Sequence, residues 1–309
     1  MAHEQRFLQG RTRSTVWTRV AHGLYVPVDE PDGAALQALA SQLHRGAGFT
    51  HHTAARMRGW WLPPLPEGLP EFAGQNARNR PRRAELRIIR TTPEPEITRL
   101  RGLPIVSSTD VLLALARHLG LLDVVVVLDS ALRCGDVTPR QLAWTLGCRR
   151  FGVRRLRVAA SLADPRSESP YETLLRILHV VCEVDVVPQH ELWVDGHLVA
   201  RGDLRLVGHD TYHEYDGAGH RDREQHRSDL RRDRDLDSAG WVRRGYTDLE
   251  VIHRPATILR DADRTLGRPH DPDRLDAWYF LLRESCFTPA GRHRLLVRLG
   301  LLGETPVAA

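Results

Sequence analysis

The chain has 309 residues, 41% apolar and 27% charged, with 44 basic and 39 acidic residues for a net charge of +5. That balance excludes a disordered or fibrous chain, and the longest aliphatic run, Val124 to Leu128, is too short to span a bilayer. The N-terminal stretch MAHEQRFLQGRTRST has no apolar core, so no secretory signal is expected and the protein is read as cytoplasmic.

Every basic residue is arginine, because the chain contains no lysine. Residues 1–166 carry 24 arginines and 14 acids, a net +10, whereas residues 167–309 carry 20 arginines and 25 acids, a net −5. A basic first half beside an acidic second half suggests that one meets a polyanion and the other holds a cation. Cys134, Cys148, Cys182 and Cys286 are widely spaced, which indicates neither a zinc ribbon nor a disulfide framework.

In chain order, the spacing predicts a short helix over Arg11 to Arg19, then a glycine turn into an apolar strand through Gly23-Leu24-Tyr25-Val26. A small helix before a β-wing is the arrangement of a winged helix-turn-helix, in which Arg11, Arg13 and Arg19 would contact DNA. The alternative is a helix and hairpin that only pack. Gly33 to Arg45 and Thr50 to Arg58 have helical spacing, and His51-His52 read as a cap and a packed ring because adjacent helical residues do not share a face. Short strands such as Leu86 to Ile89 are expected between Pro63 and Val106. Among them lies a loop containing Arg78, Arg80, Arg82 and Arg83, placed either to grip phosphates or to be solvated.

Ser107 caps a helix with an apolar stripe (Val111, Leu112, Leu115), and Leu121 to Leu132, Thr138 to Leu146 and Val153 to Leu162 complete a helical layer with no assigned chemistry. Ala163 to Glu168 is the expected linker between domains 1–166 and 167–267, with 268–309 as a helical extension. Ser169-Pro170-Tyr171-Glu172 starts a helix to about Val181, and Glu172 is either a capping-box residue or a further site carboxylate. Strands over Val184 to Val187, Leu192 to Val194 and His197 to Leu206 follow, joined by an Asp195-Gly196 turn. Arg221 to Leu236 reads as a helix whose Arg227 and Arg231 would reach substrate phosphate, or whose charges pair along an exposed face. A strand over Trp241 to Thr247 and helices over Pro255 to Leu266, Asp273 to Cys286 and His293 to Leu301 finish the chain.

The stretch RGDLRLVGHDTYHEYDGAGH, residues 201–220, places Asp203 on one arm of a hairpin and Glu214 on the other. Glu214 and Asp216 share a strand face, and Gly217 lets the chain turn away toward His220. Carboxylates converging without basic partners are costly unless a cation lies between them, and hard divalent ions take such oxygen ligands. Metal-assisted hydrolysis with His220 as base is the simplest chemistry for the set; a plain turn and a solvated strand face is the alternative.

Ser169-x-x-Glu172, Arg201-x-Asp203-Leu204, Glu214-Tyr215-Asp216-Gly217, His220, Asp229-x-x-Arg232-Asp233-x-x-Leu236 and Gly240-Trp241, over about residues 167–266, resemble very-short-patch-repair endonucleases of the PD-(D/E)xK superfamily. Residues 1–166 resemble the winged-helix and helical region of AbiEi-like type IV antitoxins through Gly23-Leu24-Tyr25-Val26, Thr50-His51-His52-x-Ala54-Ala55 and Gly102-Leu103-Pro104. The resemblance implies an α/β fold: a winged-helix and helical N-terminal domain and a restriction-endonuclease-like domain with a mixed sheet flanked by helices. It also implies Mg2+ or Mn2+ on Asp203 and Glu214, catalytic roles for Asp216, His220 and Glu172, and DNA as partner. The chain departs from that pattern at Gly202, where the family has proline, and at Tyr212-His213, where it has an aliphatic pair. The other implied function is a DNA-binding regulator or antitoxin with a degenerate nuclease site and a cognate toxin as partner.

Overall fold

The computed structural model describes residues 7–29, 31–76, 84–217 and 232–303. Leu8–Gln9 (β1), Trp17–Ala21 (β2) and Leu24–Pro27 (β3) form a sheet in the order β1-β3-β2. The helix expected over 11–19 is not formed. Thr15, Val16, Thr18 and Val20 are β-branched and favour an extended chain, and Gly23, at φ 70°, turns β2 back onto β3. Pro31–Ala40 (α1) is shorter than the expected 33–45 helix and packs against β3.

A second, mixed sheet has the order β6-β5-β4-β8-β7, built from Gly48–Phe49 (β4), Glu71–Gln75 (β5), Leu86–Arg90 (β6), Ile97–Leu100 (β7) and Leu103–Val106 (β8). His51–Met57 (α2) lies on it, with Thr50 at its N-cap and His51 and His52 buried 4.9 and 5.2 Å from the Phe72 ring.

The helical layer follows as Ser108–His118 (α3), Leu121–Arg133 (α4), Pro139–Gly147 (α5) and Val153–Leu162 (α6). Leu122 through Ala131 of α4 are all buried, two aspartates and a serine among the apolar residues, so α4 becomes the centre around which the rest packs. Two carboxylates inside it tie down distant segments. Asp129 accepts from Arg176 Nη2 at 2.7 Å, Thr173 Oγ1 at 2.8 Å and Asp164 N at 2.7 Å. Asp123 accepts from the Ser285 hydroxyl and from Cys286 N at 3.0 Å. The expected linker 163–168 is thus pinned to α4, with Ser167 buried.

Pro170–Val181 (α7) leads into a four-stranded sheet of order β12-β11-β10-β9, from Val186–Val194 (β9), His197–Leu206 (β10), Thr211–Tyr215 (β11) and Val242–Tyr246 (β12). The first three strands run antiparallel, while β12 joins β11 in parallel after a crossover that includes a helix described over 232–238 (α8). Asp248–His253 (α9), Pro255–Thr265 (α10), a 3-10 turn at Pro272–Leu275, Asp276–Glu284 (α11) and Pro289–Arg298 (α12) complete the chain. The α11 helix is shorter than the expected 273–286 because Ser285 and Cys286 leave it to bind Asp123, and α12 starts four residues before the expected 293. One apolar cluster runs from Ala54 to Leu299 through α3, α4, α6, α7, β10, α10 and α11. The fold is mixed α/β with three sheets, and among the described residues no helix is long and apolar enough to cross a membrane.

Candidate active site

The hairpin β10–β11 pairs Leu204 with His213 and Arg205 with Tyr212. The ladder stops there, leaving Asp203 and Glu214 as the next residue on each arm. Asp203 Oδ2 accepts from Tyr215 N at 2.9 Å, and Gln189 Nε2 reaches Asp203 Oδ1 at 3.4 Å and Glu172 Oε2 at 3.0 Å. Gln189 adopts φ 51° in the middle of β9, a left-handed conformation that costs a non-glycine residue on the order of 1 kcal/mol or more and collects at functional positions. Glu172 stands at the third position of α7, and its side chain does not close the capping box. Its backbone N–H donates to Ser169 Oγ at 3.1 Å, while its carboxylate turns toward the sheet and accepts from Glu168 N at 2.7 Å as well as from Gln189.

Burial, the Glu172 charge and the Glu214 charge push Asp203 up to about 7, against the lowering effect of the Tyr215 N–H and Arg232. Burial likewise raises Glu172.

The expectation that the carboxylates lack basic partners is overturned. Glu214 is buried, and its Oε1 accepts from Arg232 Nη2 at 2.5 Å while its Oε2 accepts from Arg243 Nε at 2.5 Å. Arg243 Nη2 also donates to Asp216 Oδ1 at 2.6 Å. Burial opposes the Arg243 charge, and Glu214, Asp216 and Asp233 beside it more than offset this, holding the guanidinium above its usual range. The parallel register of β11 and β12 makes this possible by setting Glu214 beside Gly245. A Cβ at Gly245 would lie 1.9 Å from Asp216 Oδ2, so the missing side chain is the room into which the Asp216 carboxylate fits.

Gly202, where the resemblance has proline, is explained by the same kind of contact: a Cβ there would lie 2.2 Å from the Tyr212 ring. Tyr212 and His213 are both fully buried and anchor β11 as an aliphatic pair would. Tyr212 packs with Leu192, Ala200 and Leu236. His213 Nδ1 lies 2.8 Å from His179 Nε2 of α7, and its Nε2 lies 3.4 Å from the Tyr246 hydroxyl. Tyr215 stacks on Tyr171 at 4.8 Å between ring centres, which locks the strand end carrying the site against α7.

His220, Arg227, Arg231, Arg78, Arg80, Arg82 and Arg83 lie outside the described residues. Arg11, Arg13 and Arg19 are exposed on the N-terminal sheet and its entry loop, with Arg19 Nη2 3.3 Å from His22 Nδ1. Sequence reasoning assigned no role to Gln189 or Arg243, and gave Arg232 only a pairing with Asp229 along its helix. Arg232 stands inside the Asp229-x-x-Arg232-Asp233 string, whereas Arg243 is brought to Glu214 only by strand pairing. Among the described residues no three His, Cys, Asp or Glu side chains form a group at metal-ligating spacing.

No family model, no curated protein and no solved structure matches the chain.

Proposed function

We propose that the chain is a metal-dependent nuclease that hydrolyses DNA phosphodiester bonds at the end of the β9–β12 sheet. The observation that carries this reading is the convergence of acids at one strand end, where Gln189 Nε2 joins Asp203 to Glu172 and the Tyr215 N–H ties Asp203 to the strand that carries Glu214. Burial first, and then the Glu172 and Glu214 charges, oppose ionisation of Asp203, and a divalent cation is the partner that would relieve the charge crowding. Asp203 and, once freed from Arg232, Glu214 would offer the carboxylate oxygens a hard ion takes, with Glu172 one step behind through Gln189. Mg2+ or Mn2+ held there would supply Lewis-acid stabilisation of charge on the phosphate. Arg232, its side chain about a third exposed, would exchange Glu214 for the substrate phosphate. Arg243 would stay with Asp216 and keep β11 and β12 together. His220, just beyond Asp216-Gly217, would take the proton of the attacking water, as the resemblance implies.

A second reading rests on the same arginines. If both bonds to Glu214 are permanent, the sheet is a scaffold and the chain is a DNA-binding regulator or antitoxin-like protein. The deciding experiment is plasmid nicking with Mg2+ and with Mn2+, wild type against Asp203→Ala, alongside thermal melts with each ion. Nicking and metal-induced stabilisation that both vanish in Asp203→Ala support the nuclease. Nicking that persists in the variant, or neither effect in the wild type, removes it.

A further inference from the structure

Residues 137–163 contain six arginines (Arg140, Arg149, Arg150, Arg154, Arg155, Arg157) and no acid. This segment builds α5, the turn after it and α6, far along the chain from the carboxylates, and it displays the two most exposed large hydrophobic side chains among the described residues. Phe151 is 81% exposed and Trp144 is 71% exposed, although burying either ring would stabilise the fold. Each is set beside a cation. Arg140 precedes Trp144 by one helical turn, and the two line a cavity of about 800 Å³ with Thr138, Thr145 and Arg58. Phe151 lies under the Arg117 guanidinium at 5.4 Å and lines a second cavity, of about 580 Å³, with Arg149, Arg150, Arg154 and Arg157.

The arginines divide by task. Arg155 and Arg157 donate to the last carbonyls of α3 and α5, and Arg150 pairs with Asp110 at 2.5 Å, so these three hold the layer together. Arg140, Arg149 and Arg154 are exposed and make no hydrogen bond or ion pair among the described residues. Unneutralised guanidinium groups beside two exposed rings, one of them backed by Arg117, match a strand of phosphates whose bases are unpaired and free to stack. A duplex hides its base faces, and a lipid surface offers anions without flat partners for the rings.

We infer that the α5–α6 face binds single-stranded DNA, with Trp144 and Phe151 as stacking platforms and Arg140, Arg149 and Arg154 as phosphate contacts. None of these residues belongs to the carboxylate site, so this inference and the nuclease reading stand or fall separately.

The test is fluorescence anisotropy of a labelled 20-nucleotide oligo-dT with the full chain, Trp144→Ala/Phe151→Ala, and Arg149→Ala/Arg154→Ala. A duplex of the same length and phosphatidylserine-containing vesicles serve as competitors. The side chains replaced are exposed, so unchanged melting temperatures are expected and are measured to show that each variant folds. Losing two stacked bases should weaken binding roughly tenfold or more. Removing two phosphate contacts should lower the slope of log K against log salt by about 1.4. The inference is overturned if the wild type does not bind the oligonucleotide. It is equally overturned if either double variant binds as the wild type does, or if duplex or vesicles compete as well as the single strand.

Discussion

Arg243 Nε and Glu214 Oε2 meet at 2.5 Å across the parallel pair β11–β12, joining strands that 26 residues of chain separate in sequence between Tyr215 and Val242. Because Glu214 is buried and Arg243 also holds Asp216, truncating the arginine leaves Glu214 with Arg232 alone at its other oxygen and takes one guanidinium contact from Asp216. Arg243→Met is expected to cost roughly 2–4 kcal/mol, read as a lower urea midpoint with an unchanged m-value. A cost within experimental error would mean that the pair is decorative.

Asp203 gives a pH signature. With its folded pKa near 7 and an ordinary value of 3.8, it holds its proton more tightly when folded, so stability falls as pH rises from 3.8 through 7. Asp203→Asn should melt a few degrees above the wild type at pH 8 and close to it at pH 4. Equal melting at both values contradicts the crowding of charge at the site. Under the nuclease reading, Mg2+ raises the melting temperature of the wild type and not of this variant.

The His179–His213 pair works in the opposite direction. Burial pulls His179 down to about 4 from an ordinary 6.5, and burial with the neighbouring His179 and Arg244 holds His213 well below its usual value. Both rings are neutral in the fold while the unfolded chain binds protons below about 6.5, so stability is full above that pH and lost toward 4. Melting curves from pH 7 to pH 4 should show this loss, and His179→Gln should flatten it. A variant with the wild-type slope would place the acid sensitivity elsewhere.

Gly202→Ala would drive a methyl group into the Tyr212 ring, which is wholly buried against Leu192, Ala200 and Leu236. The expected loss is about 1–3 kcal/mol, measured by thermal or urea unfolding. Gly147→Ala, at the end of α5 with no atom near its added Cβ and a φ outside the left-handed region, serves as the comparison. Similar losses at both sites would dismiss the contact with Tyr212.

The sequence carried the helical layer well: Ser107, Thr138 and Ser169 announce helix starts, and the structure finds each hydroxyl accepting from a backbone N–H two or three residues into its helix. It misled at residues 11–19, where regular arginine and threonine spacing imitates a helix while the β-branched side chains choose β2. Glu172 was readable as capping-box residue or site carboxylate, and only its surroundings showed a backbone N–H on Ser169 and a carboxylate held by Glu168 N and Gln189.

Local chemistry by itself determined the acidic hairpin, the caps, the apolar α4 and the acid-free run of arginines from 137 to 163, because propensity, charge and periodicity act over a few neighbouring residues. Tertiary structure decided who neutralises whom. Arg232 and Arg243 reach Glu214, Gln189 spans Glu172 and Asp203, and Trp144 and Phe151 stay in solvent. Those outcomes depend on strand register and helix packing between segments distant in the chain, where a one-residue shift would turn each side chain to the opposite face.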